Sequence, residues 1–418
     1  MAQANDWFDD WFTQSLQKIQ GTSSASLSNI NALSNNQCVN YLDLLVADSP
    51  QWPSIATVKL NGGLGSSMGC HGPKSLIQIA PDGTTFLDKI INSHCNSPLS
   101  NALILLNSFN TESQTKAHIR ANFPTLDWIN VCQQAFKKID ADSLQPLQAV
   151  TTDAFNPPGH GSVYFDLYYS GILHQLQASH IDYLFISNAD NLAATVDPTI
   201  VQYLAVSKPS FLMELTPKTD ADKKGGTVVD VNNRLTLWEI AQVTESQQAL
   251  FESQPYFNTN NIWVSVTALI NAIESKQFQL DIIKNKKVRD AQPVIQMEYA
   301  MGSAIQSFSD AQALVVPRTR FFPVKRTSDL LLLLSDCCSW SDSGQLDWDP
   351  NQLPLITLSS PLNDVSDFFK YFQYIPSIKH LNSLQLSGPI VFDSRVKFDH
   401  QKDVVLSVKS PTSIAHLL

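Results

Sequence analysis

The sequence predicts an α/β protein built on a doubly wound, mostly parallel sheet and followed by a smaller β-rich unit. Three observations predict it. Short apolar runs of β type recur from Ile55 onward, helical patterns lie between several of them, and after Leu334 the chain turns to turn-rich and alternating sequence. Strands buried on both faces read as continuous apolar runs, and each parallel crossover needs a helix to cover the sheet. Sheets of this kind hold ligands beyond the carboxyl ends of their strands.

Residues 1–50 are rich in Ser, Asn and Gln and carry the amphipathic pattern Trp7, Phe8, Trp11, Phe12, Leu16, which predicts a helical leader packed onto the body. Strands are expected over Ile55 to Leu60, Ala102 to Leu106, Tyr183 to Ile186, Phe211 to Leu215 and Ile262 to Val266. Helices are expected over Thr85 to His94, Ser162 to Leu176 and Thr199 to Val206. These elements make up a main domain over 51–336. Ser335 to Pro354 has turn residues and no helical period, and Leu384-Gln385-Leu386-Ser387 and Val404-Val405-Leu406-Ser407-Val408 alternate. The expected second unit is therefore a small β-rich domain over 337–418.

Composition narrows the class of partner. A chain of 418 residues suits roughly two to three domains. Its formal net charge of -10 offers no broad positive field for a polyanion, so neither nucleic acid nor an anionic membrane is expected as the main partner. The first residues mix acids and aromatics where an export signal has basic residues before an apolar stretch. The longest apolar run, Leu330 to Leu334, is far below the roughly 18 residues that span a bilayer. Six cysteines show no CxxC spacing, which speaks against a zinc knuckle and for a reducing compartment. A soluble, cytoplasmic protein is expected, with Cys337 and Cys338 as ordinary thiols.

Of 15 glycines, Gly62, Gly63, Gly65, Gly69 and Gly72 crowd together directly after an expected strand. Backbone N–H groups without Cβ atoms can wrap a phosphate, and an adjoining helix N-terminus would add favourable potential; a plain tight turn is the simpler alternative. The dinucleotide fingerprint fails because Met68 holds the third glycine position, and no Gly-Lys-Ser/Thr supplies a Walker loop. What remains is LNGGLGSSMGCHGPKS, in which Lys74 can reach a phosphate held by the same loop. Asp190, in Asn188-Ala189-Asp190-Asn191, follows the run Tyr183 to Ile186 and is either a metal ligand at the sheet edge or an Asx-turn cap. His160 lies between Gly159 and Gly161 after two prolines, a stiff backbone for a core-filling residue. Lys325, behind Phe321-Phe322-Pro323-Val324, is on its own chemistry a solvated lysine or one aimed into a cleft.

These blocks together resemble eukaryotic-type UTP-glucose-1-phosphate uridylyltransferases, also called UDP-glucose pyrophosphorylases. The resemblance rests on the glycine segment, Leu106-Asn107-Ser108-Phe109-Asn110-Thr111, Pro157-Pro158-Gly159-His160-Gly161, Ser187-Asn188-Ala189-Asp190-Asn191, Lys224-Gly225-Gly226-Thr227, Phe257-Asn258-Thr259-Asn260-Asn261 and Phe321-Phe322-Pro323-Val324-Lys325. It runs from about residue 55 to about 400. It implies a Rossmann-like nucleotidyltransferase sheet that makes UDP-glucose and pyrophosphate from UTP and glucose 1-phosphate with Mg2+, by in-line attack on the α-phosphorus.

By the same resemblance Leu60, Asn61, Gly62, Gly63, Lys74, Gln133, Gly159, Asn188 and Asp190 hold the nucleotide, with Asp190 as metal ligand. Gly159 meets uracil and Gln133 reads its edge, although the neighbours Gln134, Ala135 and Phe136 depart from the family pattern. His160, Gly226, Glu239, Asn258, Asn260 and Lys325 hold the sugar phosphate, and Lys74 and Lys325 are catalytic. Asn258 and Asn260, two apart on extended chain, are expected on one face; Glu239 equally reads as a solvated strand residue. An N-acetylhexosamine or broad-range UDP-sugar pyrophosphorylase is the nearest alternative, and a silent UDP-sugar-binding regulator the alternative from another class. His71 and Asp220 stand where the family commonly has lysine and arginine. The family's left-handed β-helix tail is longer than the stretch available here, so a shortened β-helix and a monomer or weak dimer are expected.

Overall fold

The computed structural model describes residues 6–21, 27–31, 33, 37–44, 51–80, 82–149, 151–219, 222, 225–289, 292–341, 344–398 and 402–418. Its centre is an eight-stranded sheet. In spatial order the strands are Cys38–Asn40, Gln312–Val315, Phe211–Pro217, Tyr256–Ser265, Tyr183–Asn188, Ile55–Asn61, Ser100–Asn107 and Ile129–Cys132. Neighbours run parallel except at Tyr256–Ser265, which is antiparallel to the strands on both its sides. The apolar runs read from sequence are all strands of this sheet, with Val266 starting the next helix because Ser265 caps it through the Ala268 N–H.

Local chemistry sets the helix boundaries. Thr85 and Asp88 form a reciprocal capping box that starts the helix Phe86–Cys95. Asp197 accepts from the Thr199 and Ile200 N–H groups and Pro198 occupies the first turn, which starts Pro198–Ser207. The expected helix over Ser162 to Leu176 is two, Val163–Tyr169 and Ile172–Ala178, since Gly171 between them adopts φ +78°. The leader contains the helix Asp6–Gly21 but also two short strands. Ile30–Asn31 joins the ladder of Gly226–Val231 and Arg234–Glu239, and Cys38–Asn40 edges the central sheet. Strands of two or three residues leave no period in a sequence, and only their partners define them.

The two faces of the sheet build separate cores. On one, Val58, Ile104, Leu106 and Ile186 pack with Val163, Leu167 and the helix Asp6–Gly21 through Trp11 and Phe12. On the other, Leu103, Leu105, Phe86 and Ile90 belong to one cluster with Phe372, Leu384, Leu386 and Phe392. Residues beyond 337 thus share a continuous core with the sheet, so the turn-rich segment marks a change of architecture without a break in packing. There Leu355–Leu358, Ser383–Ser387 and Asp403–Ser407 form a parallel ladder, and Ile390–Val391 pairs in parallel with Thr412–Ser413. Alternation decides what is buried: Leu384, Leu386 and Val404 face inward while Val405 is 67% exposed.

Among the described residues no helix is long and apolar enough to cross a membrane. All six cysteines are free. Burial pushes the Cys338 thiol up to about 12, which removes the thiolate on which reactivity depends.

Candidate active site

Three parallel neighbours bring the chemistry to one edge of the sheet. Register pairs Leu60 with Leu106 and Asn188, and Asn61 with Asn107, so the ends of these strands lie side by side. Asn61 Nδ2 donates to Asn107 Oδ1 at 2.7 Å and to Thr115 Oγ1 at 3.0 Å, which pins the buried strand end from which the glycine loop leaves. Beyond it opens a cavity of about 310 Å³ lined by Leu60, Asn61, Gly62, Gly63, Lys74, Gln133, Gly159, His160, Asn188, Asp190, Glu298 and Lys325. Every residue expected around the nucleotide lines it.

The glycine loop divides its work. Lys74 N donates to Gly63 O at 3.1 Å and Leu64 pairs with Pro73, so the loop closes on itself and returns Lys74 to the strand end. A Cβ on Gly63 would meet open space, whereas one on Gly65 would strike Cys70, and one on Gly69, at φ +77°, would strike Asp364. Only Gly62 and Gly63 line the cavity; the others allow close packing. The adjoining helix N-terminus is a corrected expectation. Two 3-10 turns, Ser66–Met68 and Lys74–Leu76, follow instead, and the next α-helix begins at Phe86. Positive potential here comes from side chains.

Asp190 is the charge centre. Its Oδ2 accepts from Lys74 Nζ at 2.5 Å and Lys325 Nζ at 2.7 Å. Burial works to raise its pKa, but the two lysine charges prevail and hold it at about 2. The Lys74 amine is shifted down by burial and by the neighbouring Lys325 charge, with Asp190 opposing both. Asp190 Oδ1 is buried without a hydrogen-bond partner. A carboxylate oxygen left without a partner, on a residue that lines the cavity, suits a hard cation. Among the described residues no group of three or more His, Cys, Asp or Glu gathers in one place, so a cage of protein ligands is not what this site offers.

Long-range contacts bring Lys325 here. Val324 N donates to Asp190 O at 3.1 Å, Phe322 N donates to Asn191 Oδ1 at 2.9 Å, and Asn191 pairs with Pro323. Asn191 Nδ2 donates to Arg320 O at 3.3 Å. Arg320 is itself buried, with Nε and Nη2 donating to Glu214 Oε2 and Oε1 at 2.9 and 2.7 Å, and Trp263 Nε1 also donates to Glu214. On the opposite side Lys59 Nζ donates to Ser187 Oγ and Ala194 O, both at 2.7 Å, bracketing the loop that carries Asp190. Burial lowers the Lys59 amine to about 7. Sequence reasoning passed over Lys59, Glu214 and Arg320. For Lys59 and Glu214 the signal was a charge inside an apolar run, which a folded chain tolerates only with partners.

His160 accepts from Met301 N at Nδ1, 2.9 Å away, so the neutral ring carries its proton on Nε2. Burial and the Lys325 charge hold its pKa down at about 4. The four remaining sugar-side candidates lie off the cavity lining. Asn258 and Asn260 are not on plain alternating strand: a bulge opposite Glu214 and Leu215 places Asn260 at φ +59°. The two still meet, through Asn258 Nδ2 donating to Asn260 Oδ1 at 3.0 Å. Gly226 and Glu239 are ladder partners, and Glu239 is partly buried and pushed up to about 7 by burial and Asp281. His71 is exposed. Lys224 and Asp220 lie outside the described residues.

A glycine-lined cleft at the carboxyl edge of a mostly parallel sheet, with two lysines on one carboxylate, defines a nucleotide-handling transferase. The family model described as UTP-glucose-1-phosphate uridylyltransferase matches residues 5–399. Proteins of that name are similar to this chain in Encephalitozoon cuniculi (40% identical over 355 residues, 82% of this chain and 71% of the relative) and Saccharomyces cerevisiae (40% over 358 residues, 80% and 70%). The UDP-glucose pyrophosphorylase of Leishmania major, solved as a mutant in complex with UDP-glucose, superposes with TM-score 0.81 at 29% identity, covering 96% of this chain and 95% of that one. The chain belongs to the UTP-glucose-1-phosphate uridylyltransferase family.

Proposed function

We propose that the chain joins UTP and glucose 1-phosphate into UDP-glucose and pyrophosphate by in-line attack of a sugar-phosphate oxygen on the UTP α-phosphorus. The observation that carries this reading is the convergence of Lys74 and Lys325 on Asp190 beside the glycine loop. The reaction brings two polyanions together and needs no protein nucleophile. Its demands are alignment and charge neutralisation.

Leu60, Asn61, Gly62, Gly63, Gln133, Gly159 and Asn188 hold the nucleoside and first phosphates. Lys74 takes the UTP phosphates, and Lys325 the phosphoryl groups that meet at the reacting centre. Both lysines are tied to Asp190 in the free protein, so arriving phosphates exchange one anionic partner for another. His160, neutral and held by the Met301 N–H, offers its Nε2–H to the sugar-phosphate side. Gly226, Glu239, Asn258 and Asn260 are the remaining sugar-side residues of this reading. Asp190 Oδ1 would hold Mg2+, which when bound supplies positive charge to the triphosphate.

The domain reading that goes with this function is a leader over 1–50, a catalytic domain over 51–336 and a shortened left-handed β-helix over 337–418, in a cytoplasmic monomer or weak dimer. The parallel ladder of Leu355–Leu358, Ser383–Ser387 and Asp403–Ser407 supports the last unit. Pyrophosphate release from UTP, Mg2+ and a panel of sugar 1-phosphates tests the function. Glucose 1-phosphate is expected to give the highest kcat/KM. Equal rates with N-acetylhexosamine 1-phosphates would favour the broad-range enzyme, and UDP-glucose binding without any release would favour the silent regulator.

A further inference from the structure

Gln133 is 7% exposed and lines the cavity, and its side-chain amide is fully accounted for. Nε2 donates to Gly159 O and to Ser162 Oγ, each at 2.8 Å. A carbonyl oxygen can only accept, so Gly159 O favours the amide nitrogen on its side. Both N–H groups are then used. Oε1 is turned the other way, over Gly62, so close that a Cβ on that glycine would collide with it. No hydrogen-bond donor among the described residues meets Oε1. The face that Gln133 presents to the cleft is an acceptor.

Ser162 is the second lock. It is wholly buried at the end of the Gly159-His160-Gly161 turn, where its Oγ receives the Gln133 amide. An amide nitrogen can only donate, so Ser162 Oγ is the acceptor of this bond. Gly159 O and Ser162 Oγ together hold the Gln133 amide in one sense.

We propose that Ser162 is a positioning residue for base selection: it fixes the Gln133 amide so that an acceptor faces the base, which favours a ring nitrogen bearing a proton, as in uracil, over the bare ring nitrogen of cytosine. This rests on the reading that Gln133 meets the base. A lone pair directed at a lone pair leaves both buried groups unpaired, the situation in which sites discriminate most strongly. Removing the Ser162 hydroxyl leaves Gly159 O as the only lock and lets the amide sample other orientations.

The experiment measures Kd for UTP and for CTP by calorimetry in the parent, Ser162→Ala and Gln133→Leu, with turnover at saturating UTP measured alongside. Ser162→Ala is expected to lower the CTP-to-UTP Kd ratio about tenfold, mainly by weakening UTP, while saturated kcat stays within about twofold, since the hydroxyl touches no reacting atom. A ratio unchanged in Ser162→Ala but collapsed in Gln133→Leu would overturn the role of Ser162 and leave base reading by Gln133 standing. A ratio unchanged in both would remove the underlying reading as well. If Ser162→Ala does not fold, Ser162→Cys, which keeps the size and a weak acceptor, takes its place: a partial loss supports the proposal, and a parental ratio overturns it.

Discussion

Lys325→Ala separates catalysis from stability more sharply than any other change at this site. The Lys325 side chain is 55% exposed although its Nζ lies 2.7 Å from Asp190 Oδ2. Solvent screening at that exposure limits its worth to folding to about 0–1 kcal/mol. Asp190 is not abandoned by the substitution, because Lys74, only 15% exposed, keeps its 2.5 Å contact with the same oxygen. In the reaction the balance reverses. Charge developing on the transferring phosphoryl group lies in a cleft closed by substrate, and loss of one preorganised cationic donor there costs about 2.7–4 kcal/mol, or about 10²–10³ in kcat. The assay is steady-state pyrophosphate release at saturating UTP and glucose 1-phosphate, paired with a urea unfolding midpoint. The expected result is a kcat lower by that factor with an almost unmoved midpoint. A kcat within about fivefold of the parent would refute the placement of Lys325 at the reacting phosphates.

Two more changes test the supports of the site. Glu214→Ala strips the buried Arg320 of its bidentate partner and leaves it Asp197, at 3.3 Å, and the Thr195 carbonyl. Breaking such a pair costs about 3–5 kcal/mol, and urea unfolding that shows less than about 1 kcal/mol would mean that the pair contributes little to the fold. For His160, the native pKa of about 4 lies below the ordinary 6.5, so between these values the unfolded chain binds a proton that the native chain refuses. Stability is therefore lost as pH falls from 6.5 towards 4 and is independent of this group above 6.5. The parent should lose more stability over that window than His160→Gln, whose amide oxygen can still accept from the Met301 N–H; equal slopes would show that the His160 imidazole is not responsible.

The central sheet was legible because its strands are long and buried on both faces, so that Ile55 to Leu60 or Phe211 to Leu215 announces itself without knowledge of its partner. The short strands Ile30–Asn31 and Cys38–Asn40 were not, since pairing alone creates them. The glycine cluster suggested one cause and has two. Gly62 and Gly63 face the cavity, but Gly69 makes room for Asp364, a residue nearly three hundred positions away that no local pattern points to. Asn258 and Asn260 show the limit of strand periodicity: a bulge set by the neighbouring strand breaks the alternation on which their common face was argued.

By itself the sequence singled out Lys74, Asp190, His160 and Lys325 as candidates, through short blocks that resemble those of the family, although on their own chemistry Asp190 also reads as a turn cap and Lys325 as a solvated lysine. Tertiary structure alone decided how they act on one another. That Asp190 is shared by two lysines, that Asn191 draws the Arg320-to-Lys325 segment onto its loop, and that Ser162 leaves Gln133 with an acceptor to offer are consequences of strand register and of contacts between distant segments. The physical reason is range. Propensity and periodicity act over a few residues, whereas hydrogen-bond sense and the balance between burial and charge arise only when segments far apart in the chain exclude water between them.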